Sequence, residues 1–429
     1  MQTRLLWRRS ITALGLYGSV ALPVLAGVVA ARHLGPARYG LLTLAVAAAG
    51  FLQLLLDLTV EEAMIKYGFR YSTSGHWGRL RRLYRRAVEL KTLGAIVAGA
   101  VVALLAPFAD AIFNSHGLRD PFLLSALLPI TYIPEAPAGA ALVLTGRYDV
   151  RAAYSLLTAG LRAAGLVVGA QHGVTTAVLG VVAGQVAGSL AVGSAAVRVF
   201  NGFPAGEPES LAEDRGEVKQ FVIRSTIGSG LASVRSYVAP LLLGMVSVPA
   251  QVGFFRAAQA PMTGLTALGG PARLILVTEQ TRDWEAGAFA RVFAGLRRYS
   301  LGALGLMVVA VPLFYWWMPT LIRVVFTDKY AHNPAEHAAR VILIAGAISF
   351  VFAWTKSLPV SVGKPGLRIL AEGVQTVVLL PLVLVLGWYW DATGAAAGVL
   401  ISTVVFAAVW LVSLVRLRRD HPPAEVLPS

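Results

Sequence analysis

The side chains able to do chemistry in this sequence sit inside long apolar runs, where polar groups are costly. Arg256, Gln259, Thr263 and Thr266 follow a three-four-three spacing, which puts them on one face of a helix. Ser225, Ser229, Ser233 and Ser236 form a comparable stripe, with Arg224 and Arg235 eleven residues apart and so roughly aligned. Arg162 and Lys356 interrupt two further apolar runs. Of opposite sign, Gln53, Asp57 and Glu61 recur every four residues near the end of the run 39–60, and Glu135 stands between Pro134 and Pro137. A charge near the centre of a bilayer costs roughly 2.5–3.5 kcal/mol on insertion scales, so it normally faces a watery cavity or a partner.

Guanidinium groups beside hydroxyls and an amide are suited to recognition. An arginine fork stays protonated and engages two phosphate oxygens, each charge-assisted hydrogen bond contributing about 1.5–3 kcal/mol. Hydroxyl and amide stripes suit a sugar chain, through water-bridged and replaceable contacts. These residues predict a cavity for an anionic passenger, lined by Arg235, Arg256, Gln259, Thr263, Ser229, Arg162 and Lys356. Asp57, Glu61 and Glu135 are the candidates for a coupling proton or sodium ion. Each charge also has a structural reading. Arg162 can snorkel or pair with a carbonyl, Lys356 can reach the interface, Glu135 can pair with a cation, and Asp57, Glu61 and Glu62 can cap a helix at the membrane surface.

The elements that must position these groups are membrane helices. Apolar residues make up 56% of the 429 and charged ones only 14%, far below the quarter or so usual in soluble proteins. About twelve runs near bilayer length follow one another, approximately over 11–31, 39–60, 88–108, 120–144, 152–170 and 174–198, then 219–246, 251–275, 297–318, 338–358, 367–387 and 392–415. The N-terminus has the basic start and apolar body of a signal peptide, but its place in the repeat described below argues that it is retained. The formal charge of +15 is no nucleic-acid signal, because Lys and Arg concentrate in alternate loops. Arg4, Arg8 and Arg9, the segment 79–91, and Arg416, Arg418 and Arg419 all fall on one side, which places both termini in the cytoplasm of an inner-membrane protein.

Two internal matches point to a duplication. Pro36-Ala37-Arg38-Tyr39-Gly40 resembles Pro249-Ala250-Gln251-Val252-Gly253, and 146–151 resembles 363–368, at offsets of about 213 and about 217 residues. The expected organisation is a six-helix lobe over 1–200, a flexible cytoplasmic linker over 201–218, a second six-helix lobe over 219–420, and a disordered tail over 421–429.

Several chemistries are excluded or disfavoured. With no cysteine there is no disulfide, thiolate site or cysteine nucleophile. HExxH, P-loop and credible Gly-x-Ser-x-Gly patterns are missing, and the seven histidines are scattered through loops, so neither a metal nor a cofactor is expected. All outward loops are short, the longest running over roughly 319–337, which disfavours a membrane-embedded glycan polymerase or ligase. The remaining alternative is an ion-coupled exporter of small molecules.

The stretch ARHLGPARYGLLTLAVAAAGFLQLLLDL, with Leu34-Gly35-Pro36 and Tyr39-Gly40 as its most recognisable part, resembles the polysaccharide and O-antigen flippases. That family belongs to the superfamily of the multidrug and toxin extrusion (MATE) exporters and the lipid II flippase. The resemblance covers essentially the whole chain. It implies an all-α polytopic protein, a V-shaped pair of six-helix bundles around a cationic cavity, that moves a polyprenyl-pyrophosphate-linked oligosaccharide between leaflets by alternating access. Arg256 matches, by location only, the cavity arginines of the lipid II branch. The partners implied are the lipid-linked glycan, membrane lipids and a coupling proton or sodium ion. Nucleic acid is not among them, and a monomer is expected.

Overall fold

A computed structural model describes residues 2–56, 60–207, 209–331, 334–364 and 366–420, with side chains except those of 2–10, 13, 16, 224, 228–229, 232–235, 266–275, 277–278 and 360. Asp57 and the tail 421–429 therefore lie outside the described residues, as do the side chains of Ser229 and Arg235.

Among the described residues the regular structure is helical. The chain runs α1 (Gln2–Leu56), α2 (Val60–Thr73), α3 (Trp77–Leu105), α4 (Ala109–Ile112), α5 (Arg119–Ser125), α6 (Leu128–Thr131), α7 (Glu135–Leu144), α8 (Tyr148–Ala170) and α9 (Val174–Asn201). It continues through α10 (Arg215–Val246), α11 (Pro249–Ala258), α12 (Ala260–Glu285), α13 (Phe289–Phe326), α14 (Pro334–Val351), α15 (Leu358–Ser361) and α16 (Gly366–Asp420). The described residues of the apolar runs fall mostly on helical segments, though fewer helices than the about twelve expected are long and apolar enough to cross a membrane. By length and hydropathy, eight helical segments qualify as candidate membrane spans among the described residues, and the protein is a multi-pass membrane protein. Two of the eight are too long for one crossing. The 57-residue segment Tyr17–Thr73 would extend about 85 Å as one straight helix, against a hydrocarbon core of about 30 Å. It breaks at Gly35, whose φ of 71° is open to glycine and which leads into Pro36. The 55-residue α16 breaks likewise at Trp390 and Asp391.

The run expected at 120–144 is not one helix but three short ones, α5 to α7. Pro121, Pro129, Pro134 and Pro137 lie along it, and each removes a backbone donor. The second break starts α7 at Glu135, so that carboxylate stands at a helix N-terminus, where the dipole favours a negative charge.

Two compact units are present, Met1–Gly253 and Phe254–Ser429. In the first, α1, α8 and α9 pack along glycine faces. A Cβ on Gly165 would lie 2.0 Å from the Gly180 carbonyl oxygen, and the converse distance is also 2.0 Å. Such close backbone approach is how helices associate in lipid, where burying apolar surface gives no net drive. The two matching pentapeptides also meet within this unit. A Cβ on Gly40 would lie 1.7 Å from the Pro249 oxygen, and one on Gly253 would lie 2.1 Å from the Pro36 oxygen.

The polar segment 202–214 is not the free tether expected from its composition. Arg81 donates to the carbonyls of Phe203 (2.7 Å) and Pro204 (3.3 Å), and Trp77 stacks on Phe203 at 6.0 Å. Arg79 reaches Glu209 (3.1 Å), Glu213 (2.9 Å) and Asp214 (3.4 Å), while Arg70 forks onto Glu217 at 2.9 and 3.0 Å. The linker is thus clamped to α2 and α3, over an aromatic cluster containing Tyr67, Tyr84, Phe200 and Phe221.

In the second unit, Trp354 and Trp410 meet edge to face at 5.7 Å among Val292, Leu296, Leu358 and Leu417. The Trp354 indole N–H is satisfied by Ser300 at 3.0 Å, which lets so large a side chain be buried. Exposed Leu304, Val308, Val309, Trp316 and Trp317 give α13 an apolar outer face suited to lipid.

Candidate functional site

A polar cavity of about 230 Å³ lies within the first unit. The helix α8 supplies one wall, with Arg151, Ser155, Thr158 and Arg162 at four-three-four spacing and Tyr154 beside them. Ser19 and Pro23 come from α1, Glu61 from the first turn of α2, and Glu135 and Gly139 from α7. The break before α7 places Glu135 at the cavity, and Glu61 reaches it from α2, so the two carboxylates come from different helices.

One ion pair lies in the cavity. Arg151 Nη2 donates to Glu61 Oε1 at 2.5 Å, with 40% and 32% of the two side chains exposed. A Cβ on Gly139 would come within 2.6 Å of Glu61 Oε1, so glycine leaves the room in which the pair forms. Glu135 Oε1 accepts from Gln185 Nε2 at 2.7 Å, and the same amide donates to Ser189 at 2.8 Å. Gln185 is fully buried, and its Oε1 has no hydrogen-bond partner. A carboxylate beside an unused amide oxygen is a donor set for a proton or a hard cation, both of which prefer oxygen. Arg162 lies 5.3 Å from the centre of the Tyr132 ring, a cation–π distance. With two guanidiniums facing two carboxylates, the cavity is charge-balanced when all four are ionised.

This geometry brings together residues to which the sequence assigned different roles. Arg162, expected against substrate, lines the same cavity as Glu61 and Glu135, expected to hold an ion. Arg151 and Gln185 are additions. Arg151 falls just outside the apolar run 152–170, although its spacing to Ser155, Thr158 and Arg162 gives it their helix face. Gln185 carries no such signal, being a lone amide in an apolar helix. One member of the serine stripe, Ser225, donates to Glu62.

In the second unit, Arg256, Gln259 and Thr263 do come together. Arg256 is exposed and its Nη1 donates to Gln259 Oε1 at 3.0 Å, while Thr263 Oγ1 bonds back to the Gln259 carbonyl at 3.1 Å. Gln259 caps α12 where α11 ends, and Pro261 follows in its first turn. The result is a polar elbow with a guanidinium held by a neighbouring amide. Lys356 is exposed at the end of a 3-10 turn, Ala353–Lys356, between α14 and α15, so it stands at a helix break and not within a continuous span. Among the described residues no cluster of three or more His, Asp or Glu side chains is placed to hold a metal.

Comparison with known proteins gives a consistent picture. The sequence profile of the polysaccharide biosynthesis protein family matches residues 7–269. Inner membrane protein YghQ of Escherichia coli (strain K12) is 28% identical over 338 residues, covering 73% of this chain and 89% of that one. Among solved structures, the lipid II flippase MurJ in an inward closed conformation matches with a TM-score of 0.69 at 9% identity, over 94% of this chain and 87% of that one. An inward-facing multidrug resistance MATE family transporter of the MOP superfamily matches with a TM-score of 0.65 at 13% identity, over 96% and 98%. At such identities these likenesses concern the fold, which is of the MATE and MurJ type.

Proposed function

We propose, for a chain that belongs to the polysaccharide biosynthesis protein family, that it is a flippase. It moves a polyprenyl-pyrophosphate-linked oligosaccharide across the cytoplasmic membrane by alternating access, as two six-helix repeats with both termini in the cytoplasm. The observation that carries this reading is the family match in a chain whose fold resembles that of a lipid II flippase. Arg235 and Arg256 hold the pyrophosphate, with Ser229, Gln259, Thr263 and Lys356 contacting phosphate or sugar, while the polyprenyl tail stays in lipid. An inside-negative potential favours outward movement of the anion by roughly 2.3 kcal/mol per charge per 100 mV when the protein carries no compensating charge.

The cavity of the first unit suits the coupling ion better than the glycan. At about 230 Å³ it falls below the roughly 300–1,000 Å³ of ordinary ligand pockets. Glu135, with Gln185 beside it, takes the proton or sodium ion, and Glu61 is the second candidate. Arg162 then acts in this cavity as the cation facing Glu135, not as a direct substrate contact. These carboxylates also favour a second reading, ion-coupled export of small molecules, in which arginine is dispensable.

The test replaces Arg256 and Arg235 by Ala, singly and together, and measures surface glycan at matched protein levels. The proposal expects export to fall at least about tenfold for the pair, as loss of one charge-assisted contact alone would give. Undiminished export would refute the assigned role. A drug-resistance phenotype with unchanged surface glycan would favour the second reading.

A further inference from the structure

A larger cavity, about 550 Å³, opens on the other side of α7, between α3 and the end of α9. One end is basic and the other apolar. At the basic end are Arg81 and Arg85, in the second and third turns of α3. Arg81 is held in place by the linker carbonyls of Phe203 and Pro204 and by the Phe200 ring, 5.2 Å from its guanidinium. Arg85 is exposed and makes no ion pair among the described residues. Glu89 lies at the same mouth, but Arg86 pairs with it at 3.0 Å, which offsets its charge. The apolar end is walled by Val88, Pro137, Ala141 and Val197, and Val88 and Val197 remain 37% and 59% exposed. Val88 lies about one turn before Lys91, beyond which the same helix becomes predominantly apolar, so the groove sits at the edge of the membrane with its basic end outermost.

We infer that this groove binds a single anionic phospholipid from the leaflet beside the basic loop. Its phosphate sits at Arg81 and Arg85, and the upper carbons of one acyl chain lie against Val88, Pro137, Ala141 and Val197. A soluble anion would leave the apolar wall uncovered, and a zwitterionic lipid would bring its cationic head toward Arg85. A net-negative diacyl lipid satisfies both ends. Because Arg81 is already fixed by the linker, little side-chain freedom is lost on binding. This inference is independent of what the protein transports.

The test uses the purified full-length protein in detergent, with bound lipid counted by native mass spectrometry during titration with phosphatidylglycerol or phosphatidylcholine. The expected result is one phosphatidylglycerol retained about tenfold more tightly than phosphatidylcholine. Arg85→Glu and Val88→Trp each weaken it by about tenfold, whereas Arg82→Glu, an exposed arginine outside the groove, changes it less than about twofold. Val197→Trp, on the facing wall, replaces Val88→Trp should that variant fail to fold. Equal losses for Arg82→Glu and Arg85→Glu would reduce the effect to diffuse surface charge and overturn the site. Equal competition by glycerol phosphate would show that only the headgroup is bound, and displacement by equimolar polyprenyl pyrophosphate would assign the groove to that lipid class. Either result overturns the proposal.

Discussion

Replacing Gly40 by Ala places a methyl where the Pro249 carbonyl already is, 1.7 Å away, and Gly253→Ala does the same against Pro36 at 2.1 Å. Ordinary contact begins at 3.4 Å, and the obstacle is backbone in both cases, so no side chain can swing aside. The two segments must part by roughly 1.5 Å, an overpacking strain of about 1–3 kcal/mol per site. Alanine regains up to about 1 kcal/mol of helix propensity, leaving a net loss of roughly 1–2 kcal/mol for each single variant. The contact is reciprocal, so a seam opened for one methyl already has room for the other. The double variant should therefore lose less than the two singles together, with a coupling of about 1 kcal/mol. Equilibrium unfolding in mixed micelles measures all three, with Gly264→Ala as control, because a Cβ there meets nothing within 4 Å. Strict additivity, or a Gly40→Ala loss no larger than the control's, would refute the reciprocal packing.

Removing Arg151 as Arg151→Ala leaves Glu61 without its 2.5 Å partner. Both groups keep about a third or more of their exposure, so the expected stability loss is about 1–2 kcal/mol, below the 3–5 typical of a fully buried pair, and Glu61→Gln in the same background should restore part of it in an unfolding titration. Glu135→Gln should abolish dependence of transport on a proton or sodium gradient in proteoliposomes while the protein still folds, since glutamine keeps the shape and the contact with Gln185. The hydrogen bond from Arg70 holds the Glu217 carboxyl below its ordinary pKa. A group depressed in the folded state adds stability that is complete above the ordinary glutamate range and is lost as pH falls through the lowered value. Protection factors across 202–217, referred to the intrinsic exchange rate at each pH, should accordingly fall on acidification, and protection that stays constant to the lowest pH at which the helices remain folded would count against the clamp. The charge swap Arg70→Glu with Glu217→Arg should recover most of the protection that Arg70→Glu alone removes.

Much of this architecture can be read from the sequence because apolar runs and their breaks are local. Gly35-Pro36 announces the bend in α1, and the three-four spacing of Arg256, Gln259 and Thr263 foretells their meeting. Local logic could also have found Arg151, whose four-three-four relation to Ser155, Thr158 and Arg162 was masked by its position just after a turn. Other features depend on partners far along the chain. Gln185 finds Glu135 fifty residues away, and Arg79 finds Asp214 at a separation of 135. The acids of 207–217 look like a solvated tether only while the arginines of α2 and α3 are out of view. Prolines could have marked 120–144 as interrupted instead of one run, but not that the second interruption would aim Glu135 at a cavity.

The balance of charge in the first-unit cavity constrains how any ion could act there. With Glu61 committed to Arg151, binding of one proton or sodium ion at Glu135 turns a neutral set into a net-positive one. The unit charge so created lies in a space of about 230 Å³ that Arg162 also lines, while Arg151 is the guanidinium paired with Glu61. Repulsion would press Arg162 further onto Tyr132 or out of the cavity, along the face of α8. That helix is packed on α1 and α9 at glycine contacts too close for an added Cβ, so movement of α8 is transmitted with little slack. On this argument the ion does its work by displacing a guanidinium on a rigid three-helix body. Arg162→Gln should therefore leave ion binding intact or tighter, while weakening its effect on transport.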